Sequence, residues 1–450
     1  MAEEPQGSDR ADALPAVHWQ ASAAWGAAVL GAYIVVALAP VGLAWALEPR
    51  WRGLGAREVG KGAALVGFAL LALQVALGSR LRWADRPFGL DRVMRWHKGA
   101  GGVACLLLLA HPILLAVGMG NAFLFGFQTP WPVWLGKAAL VLVVGVVFVA
   151  LYFPQLGLDY QRWRGMHKGA VAVVALGFVH GLVTGSDLHS AGMRAYWWAL
   201  GALAGGLFVY RNVVVPLWGR RRLRVTGVER TTHDTFTIAL EAEGGGGLAH
   251  QPGQFLFLKL LRPGRPSEEH PFTVASSPTG EPPLRVTIKE SGDYTNTIGE
   301  TRAGDGARVE GPFGRFSYAY PEAESFVFIA GGVGITPLLS MLRALRDTAD
   351  ARPAVLIYGN DTERDIIFRD ELEALPETVR VVHVLARPEA SWDGPTGYVT
   401  EGILEREAGE LLGEARVYLC GPPPMMDKVE TALRGLGVPR SRIHTERFAL

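Results

Sequence analysis

Cysteine is nearly missing. Cys105 and Cys420 are the two in 450 residues, which excludes a disulfide framework, a cysteine-rich zinc site and a cysteine-held cluster. Charge is scarce too. Asp, Glu, Lys and Arg make up 19% of the chain, below the ~25% of ordinary soluble domains. With hydrophobic residues at 49%, a disordered chain and a coiled coil are excluded. Neither sign of charge prevails: 44 Lys and Arg face 43 Asp and Glu, for a formal net charge of +1. No field is present to draw a polyanion, so no nucleic-acid partner is expected. The length suggests two to four domains. The long apolar runs precede residue 220 and most of the acid follows it.

The first half contains uncharged runs of membrane length. Ala23–Leu47 is 25 residues without a charge and Gly62–Ser79 is 18. Gly99–Gly136 divides at a turn-like stretch from Gly120 to Pro132, and Ala138–Leu158, Gly169–Ser186 and Ala195–Tyr210 follow, the last extending toward Leu217. A helix crossing ~30 Å of hydrocarbon needs about 20 apolar residues, so six crossings fit. The competing reading, buried helices of a soluble core, does not supply six such lengths in this space.

Loop charge orients the spans. Arg80, Arg82, Arg86, Arg92, Arg95, Lys98, Arg162, Arg164, Lys168, Arg211, Arg220, Arg221, Arg222 and Arg224 fall on one side, and Arg50, Arg52, Arg57, Lys61 and Arg194 on the other. Fourteen basic residues against five put both termini in the cytoplasm by the positive-inside rule. The expected location is the plasma (bacterial inner) membrane, multi-pass and in contact with lipid. The first 20 residues lack a basic n-region and read as a tail, not a cleavable signal.

Four histidines lie within the spans: His97 and His111 on the third, His167 and His180 on the fifth. Ionisable groups in a membrane are costly and mark function. The spacings correspond to roughly 21 and 20 Å of helical rise. Spans three and five run the same way, so His97 faces the level of His167, and His111 that of His180. Two stacked bis-imidazole pairs are what two b-type haems require at their irons. His97-Lys98-Gly99-Ala100 recurs as His167-Lys168-Gly169-Ala170. These lysines, with Arg95 and Arg164, are placed either for haem propionates or for lipid phosphates. Phase does not close, however. At ~100° per residue the first spacing returns within about 40° of the same face, while the second misses by about 140°. Either the fifth helix twists or the haem planes are rotated. Zinc is the alternative ligand, but no Asp, Glu or Cys joins the histidines at ligand spacing.

After about Arg220 short strands take over: Arg222–Glu243, Gln254–Leu261, Pro271–Ser277, Leu284–Glu290 and Ala307–Gly311. Their turns are rich in Gly, Pro and Asp, and the pattern fits a small antiparallel barrel. Beyond Pro321 strand and helix alternate: strand Phe326–Ala330, helix Thr336–Arg346, strand Ala354–Tyr358, helix Ile367–Leu375, strands Arg380–Leu385 and Arg416–Cys420, helix Pro424–Leu436. That is a parallel, doubly wound α/β domain with ligands at the strands' carboxyl ends. The expected domains are a cytoplasmic tail (1–20), a six-span haem-binding bundle (21–218), an antiparallel β-barrel (219–321) and a doubly wound α/β domain (322–450).

Between a strand and a helix lies Ala330-Gly331-Gly332-Val333-Gly334-Ile335-Thr336-Pro337. Glycines let the backbone approach a pyrophosphate, whose charge suits a helix N-terminus. Together with His270-Pro271-Phe272-Thr273, Gly292-Asp293-Tyr294-Thr295, Gly311-Pro312-Phe313-Gly314 and Cys420-Gly421-Pro422, this series resembles the ferredoxin-NADP reductase-like flavoproteins. With the four histidines ahead of it, the chain resembles the ferric reductase and NADPH oxidase family over about residues 25–450.

The resemblance implies FAD binding for the barrel and NAD(P) binding for the α/β domain, and it implies roles for single residues. His270, Pro271, Phe272 and Thr273 match the motif cradling the flavin, Thr273 near its reactive edge. Lys289, Gly292 and Thr295 match the FAD site, with Thr295 and the backbone at Gly292 on the pyrophosphate. Gly331, Gly332, Gly334 and Thr336 match the dinucleotide turn, and Cys420, Gly421 and Pro422 the loop beside the nicotinamide. Phe448 matches the aromatic covering the isoalloxazine, so Phe448, Cys420 and Thr273 stand as the catalytic candidates. Ordinary packing remains an alternative for Phe448, and a small buried hydrophobe for Cys420.

Electrons would then pass from cytoplasmic NADH or NADPH to FAD, and singly through the His97/His167 and His111/His180 haems to an outer acceptor. Asp361, after the second α/β strand and three residues ahead of Arg364, leans toward NADH, because an acidic residue there repels a 2′-phosphate. The outer loops show no acidic or Met/His-rich cluster, which favours O2 over an Fe(III) chelate or periplasmic partner. His189 reads as an assistant at the haem edge or as a solvated loop residue. No regulatory module is seen, so no obligatory regulatory subunit is expected. A nucleotide-regulated channel is the competing class, and it leaves the paired histidines unexplained.

Overall fold

The computed structural model describes residues 23–47, 51, 53, 55–245, 247–279, 283–319 and 323–448. The expected tail at 1–20 and two of the arginines used for orientation, Arg50 and Arg52, lie outside the described residues. The chain forms two compact units, one of Ala21–Gly219 and one that includes Arg220–Leu450.

In the first unit six described helices are long and apolar enough to cross a membrane: α1 Ala23–Leu47, α2 Ala56–Gly78, α3 Leu90–Met119, α4 Trp131–Tyr152, α5 Tyr160–Thr184 and α6 Ala191–Trp218. This is a multi-pass membrane architecture. Several helices outrun the uncharged stretches. α2 takes in Arg57 and Lys61, and α3 takes in Arg92, Arg95 and Lys98. Long basic side chains near a membrane helix end reach the interface, so charge marks the helix end later than the backbone does. α2 is the central helix, packing on α1, α3, α5 and α6. Leu106, Val117, Val141 and Leu151 on α3 and α4 point outward, as lipid contact requires. Small residues bring α2 and α3 together: a Cβ on Gly60 would sit 2.9 Å from Leu114, and one on Gly67 3.1 Å from Leu108.

The fifth span answers more than half of the phase problem. It is helical over Tyr160–Lys168 and again over Val171–Thr184. Between these pieces the bonds tighten to i→i−3: Gly169 N to Met166 O (2.9 Å), Ala170 N to His167 O (3.0 Å), Ala172 N to Gly169 O (2.9 Å) and Val173 N to Ala170 O (3.0 Å). A 3-10 turn winds ~20° further and rises ~0.5 Å more per residue than an α-helix. Over four residues that recovers about 80° of the ~140° shortfall and adds about 2 Å. The rise from His167 to His180 thereby matches that from His97 to His111.

In the second unit β1 (Arg221–Thr232), β2 (Thr235–Ala242), β3 (Phe255–Leu261), β4 (Glu269–Thr273), β5 (Leu284–Lys289) and β6 (Gly306–Phe313) form a six-stranded sheet ordered β4-β3-β6-β1-β2-β5. A bridge between Val274 and Val286 links its two ends, so the sheet curls into a barrel around Val225, Ile238, Leu258, Val286 and Val309. The run read as one strand, Arg222–Glu243, is two strands of a hairpin that turns at His233-Asp234; Thr232 and Thr235 hydroxyls both donate to Asp234 Oδ1 there.

The α/β part has β7 (Phe326–Gly331), β8 (Ala354–Asn360), β9 (Val379–Leu385), β10 (Arg416–Cys420) and β11 (Ile443–Glu446), all parallel, in the order β11-β10-β7-β8-β9. β7 is buried at every residue, as a strand covered on both faces must be. Phe326, Phe328 and Ala330 pack with α7 (Ile335–Asp347) and α8 (Arg369–Glu373). Val327 and Ile329 pack with α9 (Glu401–Leu412) and α10 (Pro423–Gly435). Helix α9 and strand β11 are additions to the sequence reading.

Candidate functional site

In the membrane unit the imidazoles of His97 and His167 face each other with centroids 5.9 Å apart and planes at 66°. Trp163 stacks on His167 at 5.4 Å, and His167 Nδ1 is buried without a hydrogen-bond partner. The Gln74 amide lies beside His97, 2.8 Å from its Nδ1. At the other level, His111 Nδ1 lies 3.0 Å from Gly60 O and His180 Nδ1 lies 2.8 Å from Pro132 O. A carbonyl can only accept, so each Nδ1 carries the proton and each Nε2 keeps its lone pair, as in a metal-binding imidazole. A Cβ on Gly136 would meet His180 Cε1 at 2.7 Å and both ring nitrogens at 2.9 Å. Glycine is thus what lets α4 hold that ring. These features fit a metal ligated between facing imidazoles. Gly60, Gly136, Pro132 and Gln74 were not singled out from sequence; their signal is small or polar residues placed against histidine-bearing helices.

In the barrel, His270 stacks on Tyr294 at 4.2 Å and 20°, and its Nε2 donates to Glu268 Oε2 at 2.9 Å. Arg262 lies over the same Tyr294, 5.1 Å from the ring centroid, with its guanidinium donating to Thr297 O and Oγ1. Phe272 stands 6.3 Å from His270. Pro271 and Thr273 pair with Phe257 and Phe255 of β3, and Thr273 is buried. Thr295 Oγ1 accepts from Ser291 N at 2.9 Å and donates to Gly292 O at 3.3 Å. Lys289 pairs with Asp234 at 3.0 Å. Opposing burial, the Lys289 and threonine hydrogen bonds hold Asp234 below the usual carboxylate range.

In the α/β part, the turn Gly332–Gly334 joins β7 to α7. Gly332 sits at φ +51 with open space around the position of a Cβ, whereas a Cβ on Gly334 would lie 2.4 Å from Cys420 O and one on Gly331 2.4 Å from Met425 Sδ. Gly331 and Gly334 therefore serve packing against the Cys420-Gly421-Pro422 loop, and Gly332 keeps an open approach to the backbone. Tyr358 OH donates to Gly332 O at 3.0 Å, a brace not read from sequence. Thr336 Oγ1 is turned inward to Val333 O at 3.0 Å. The Cys420 side chain is wholly buried, and burial with Glu446 nearby pushes the thiol pKa well up, so it stays protonated. Phe448 is 49% exposed, while its neighbour Arg447 is tied to Asp427 at 2.6 Å. Asp361, after β8, is paired in a bidentate way with Arg387 from the segment after β9. That pairing holds the Asp361 carboxyl below the usual range.

Comparison with known proteins agrees with this division. Residues 63–178 match the family model described as ferric reductase like transmembrane component, which spans His97, His111 and His167 and stops just short of His180. Residues 221–305 match an FAD-binding domain and 328–431 an oxidoreductase NAD-binding domain. The chain is 35% identical to ferredoxin–NADP reductase B of Sorangium cellulosum over 47% of its own length and 90% of that protein. The chain belongs to the ferric-reductase-like family with a ferredoxin-NADP reductase-like module. This ferric-reductase-like chain is also 33% identical to the stachydrine N-demethylase reductase subunit Stc4 of Rhizobium meliloti, over 47% of itself and 62% of that protein, thus less than two thirds of the relative. The cytochrome b5 reductase domain of Ulva prolifera nitrate reductase aligns with half of the family member described here (50% of this chain, 97% of that one) at 23% identity and a TM-score of 0.46. The chain is an oxidoreductase with FAD- and NAD(P)-binding domains and a ferric-reductase-like membrane domain.

Proposed function

We propose that this protein carries electrons from cytoplasmic NAD(P)H across a membrane to an acceptor on the opposite side, with O2, giving superoxide, as that acceptor. The observation that supports it most is the histidine arrangement: the His97 and His167 imidazoles face each other, and one level away His111 and His180 each give the Nδ1 proton to a backbone carbonyl. When bound, FAD and two haems b would supply the conversion of a two-electron hydride donor into one-electron steps. The residues prepare that chemistry. His97 and His167 would hold one haem iron, and His111 and His180 the other. His270, stacked on Tyr294 and fixed by Glu268, sets the β4 edge on which Pro271, Phe272 and Thr273 would receive the flavin. Gly332 leaves the backbone accessible at the start of α7, where a pyrophosphate gains from free N–H groups. Arg447 anchors the chain end and leaves Phe448 exposed, so the ring is free to move aside for a nicotinamide.

The donor is NADH in this reading. A 2′-phosphate would have to compete with Asp361 for the Arg387 guanidinium and would meet a carboxylate in doing so. O2 is favoured because the loops on the His111/His180 side carry no cluster of acidic, Met or His residues for a chelate or a protein partner. The test follows cytochrome c reduction by purified, FAD-loaded protein with NADH in air, with and without superoxide dismutase. Inhibition by the dismutase supports O2. Weak reduction in air, with reoxidation by Fe(III) chelate under anaerobic conditions, overturns it in favour of a metalloreductase.

A further inference from the structure

A buried ion pair lies at the end of the membrane unit that carries His111 and His180. Lys61 Nζ and Asp187 Oδ1 are 3.2 Å apart, their side chains 12% and 9% exposed. The Trp51 indole N–H donates to the same carboxylate oxygen at 3.2 Å. A lysine near a membrane helix end ordinarily extends to the interface; this one is turned inward, at the desolvation cost of a buried pair. Its neighbours are informative. Lys61 follows Gly60, whose carbonyl holds His111 Nδ1. Asp187 sits in the turn Ser186–His189 directly after α5, the helix of His180, whose carbonyl accepts from Thr184 Oγ1 at 2.7 Å. The pair therefore joins the segment whose carbonyl fixes His111 to the turn that ends the helix carrying His180. None of the residues already assigned to flavin, nucleotide or iron belongs to it.

We propose that Lys61 and Asp187 form a positioning pair for the His111/His180 couple, setting both the approach of the two rings and the electrostatic field at the iron they would hold. The proposal rests on the two-haem reading above. As a pair the charges cancel; with one partner removed, a buried charge of known sign remains. Lys61→Met leaves a carboxylate, which favours the more positive, ferric iron and lowers the midpoint potential. Asp187→Asn leaves an ammonium group and raises it. Lys61→Met/Asp187→Leu removes both charges and brings the potential back toward the wild-type value.

The experiment is a potentiometric titration of both b-type haems in the full-length protein, with electron paramagnetic resonance of the ferric signals. The His180→Ala variant identifies which signal belongs to the upper couple. Expected are opposite shifts of that haem in the two single variants, an unmoved lower haem, recovery in the double variant, and wild-type behaviour in Lys61→Arg. Should the single variants fail to accumulate, Trp51→Phe removes one hydrogen bond from Asp187 while keeping both charges, and it should shift the same haem in the Lys61→Met direction. Unshifted potentials, shifts of the same sign, or equal shifts of both haems would overturn the pair's role. A wild-type protein holding no b-type haem would overturn the underlying reading, a distinct result that takes this proposal with it.

Discussion

Adding one methyl group at Gly136 tests how α4 holds His180. The Cβ of Gly136→Ala would lie 2.7 Å from Cε1 and 2.9 Å from both ring nitrogens. Non-bonded carbon contacts settle near ~3.5–4.0 Å, so the imidazole must retreat by about 0.8–1.3 Å. Its hydrogen bond to Pro132 O is 2.8 Å long, and a retreat of that size takes it to at least ~3.6 Å, beyond a hydrogen bond. Losing the bond costs ~0.5–1.5 kcal/mol, and forcing a methyl into a packed contact ~1–3 kcal/mol. Their sum weakens ligation at this couple by about ten- to a thousandfold, at ~1.4 kcal/mol per decade. The assay is haem per chain by pyridine haemochrome under limiting haem, with a redox titration to show which haem remains. Wild type should carry two, and Gly136→Ala close to one, with the surviving haem absent instead in His97→Ala. Two haems with unchanged potentials in Gly136→Ala would refute the reasoning.

Other consequences concern the soluble unit. Asp361→Ala frees Arg387, so the ratio of kcat/KM for NADPH over NADH should rise about tenfold, the effect of one charge-assisted hydrogen bond at an exposed site; Arg387→Ala should lower it, and steady-state kinetics with both donors checks this. Arg343 is buried, donates to Ala275 O at 2.8 Å and grips Glu371 through Nε (2.8 Å) and a terminal nitrogen (2.5 Å). It ties barrel to α/β part, and Arg346 remains on Glu371 at 3.2 Å if it is lost. Arg343→Met should therefore cost ~2–3 kcal/mol, a fall in Tm of roughly 5–10 °C by calorimetry. His444 stacks on Tyr418 at 4.9 Å, and burial, then Arg416 and Arg315, push its pKa down to about 4. The folded chain thus holds a neutral ring that the unfolded chain protonates near pH ~6.5. Its contribution is full above that pH and is lost as pH falls toward about 4. Solvent screening of a partly exposed ring reduces the ~3 kcal/mol ceiling to ~1–2 kcal/mol, and His444→Phe should flatten Tm against pH over that window.

The architecture was legible because membrane length and strand–helix alternation are coarse signals. Histidine spacing was legible too, but its geometry was not: thirteen residues in an ideal helix put His167 and His180 on different faces, and a four-residue tightening around Gly169 and Ala170 leaves no mark beyond those two small residues. The supports of the rings were hidden because they are backbone carbonyls, at Gly60 and Pro132, which any residue possesses. Helix α9 escaped because Glu401–Leu412 is rich in charge, although Thr400 caps it by accepting from Ile403 N. The hairpin at His233-Asp234 lacks the Gly or Asn that announces a two-residue turn. Asp361 was read as a lone acid because its partner, Arg387, comes from a neighbouring strand's loop. Cys420, a catalytic candidate from its motif, lies completely buried, a placement that the motif alone does not show.

The most direct test is the anaerobic reduced-minus-oxidised spectrum of the full-length, FAD-loaded protein after addition of NADH. The account predicts flavin bleaching followed by b-type bands from two haems per chain, the His111/His180 haem reducing second and failing to appear in His180→Ala. Flavin that bleaches with no b-type bands in a protein supplied with haem would contradict it.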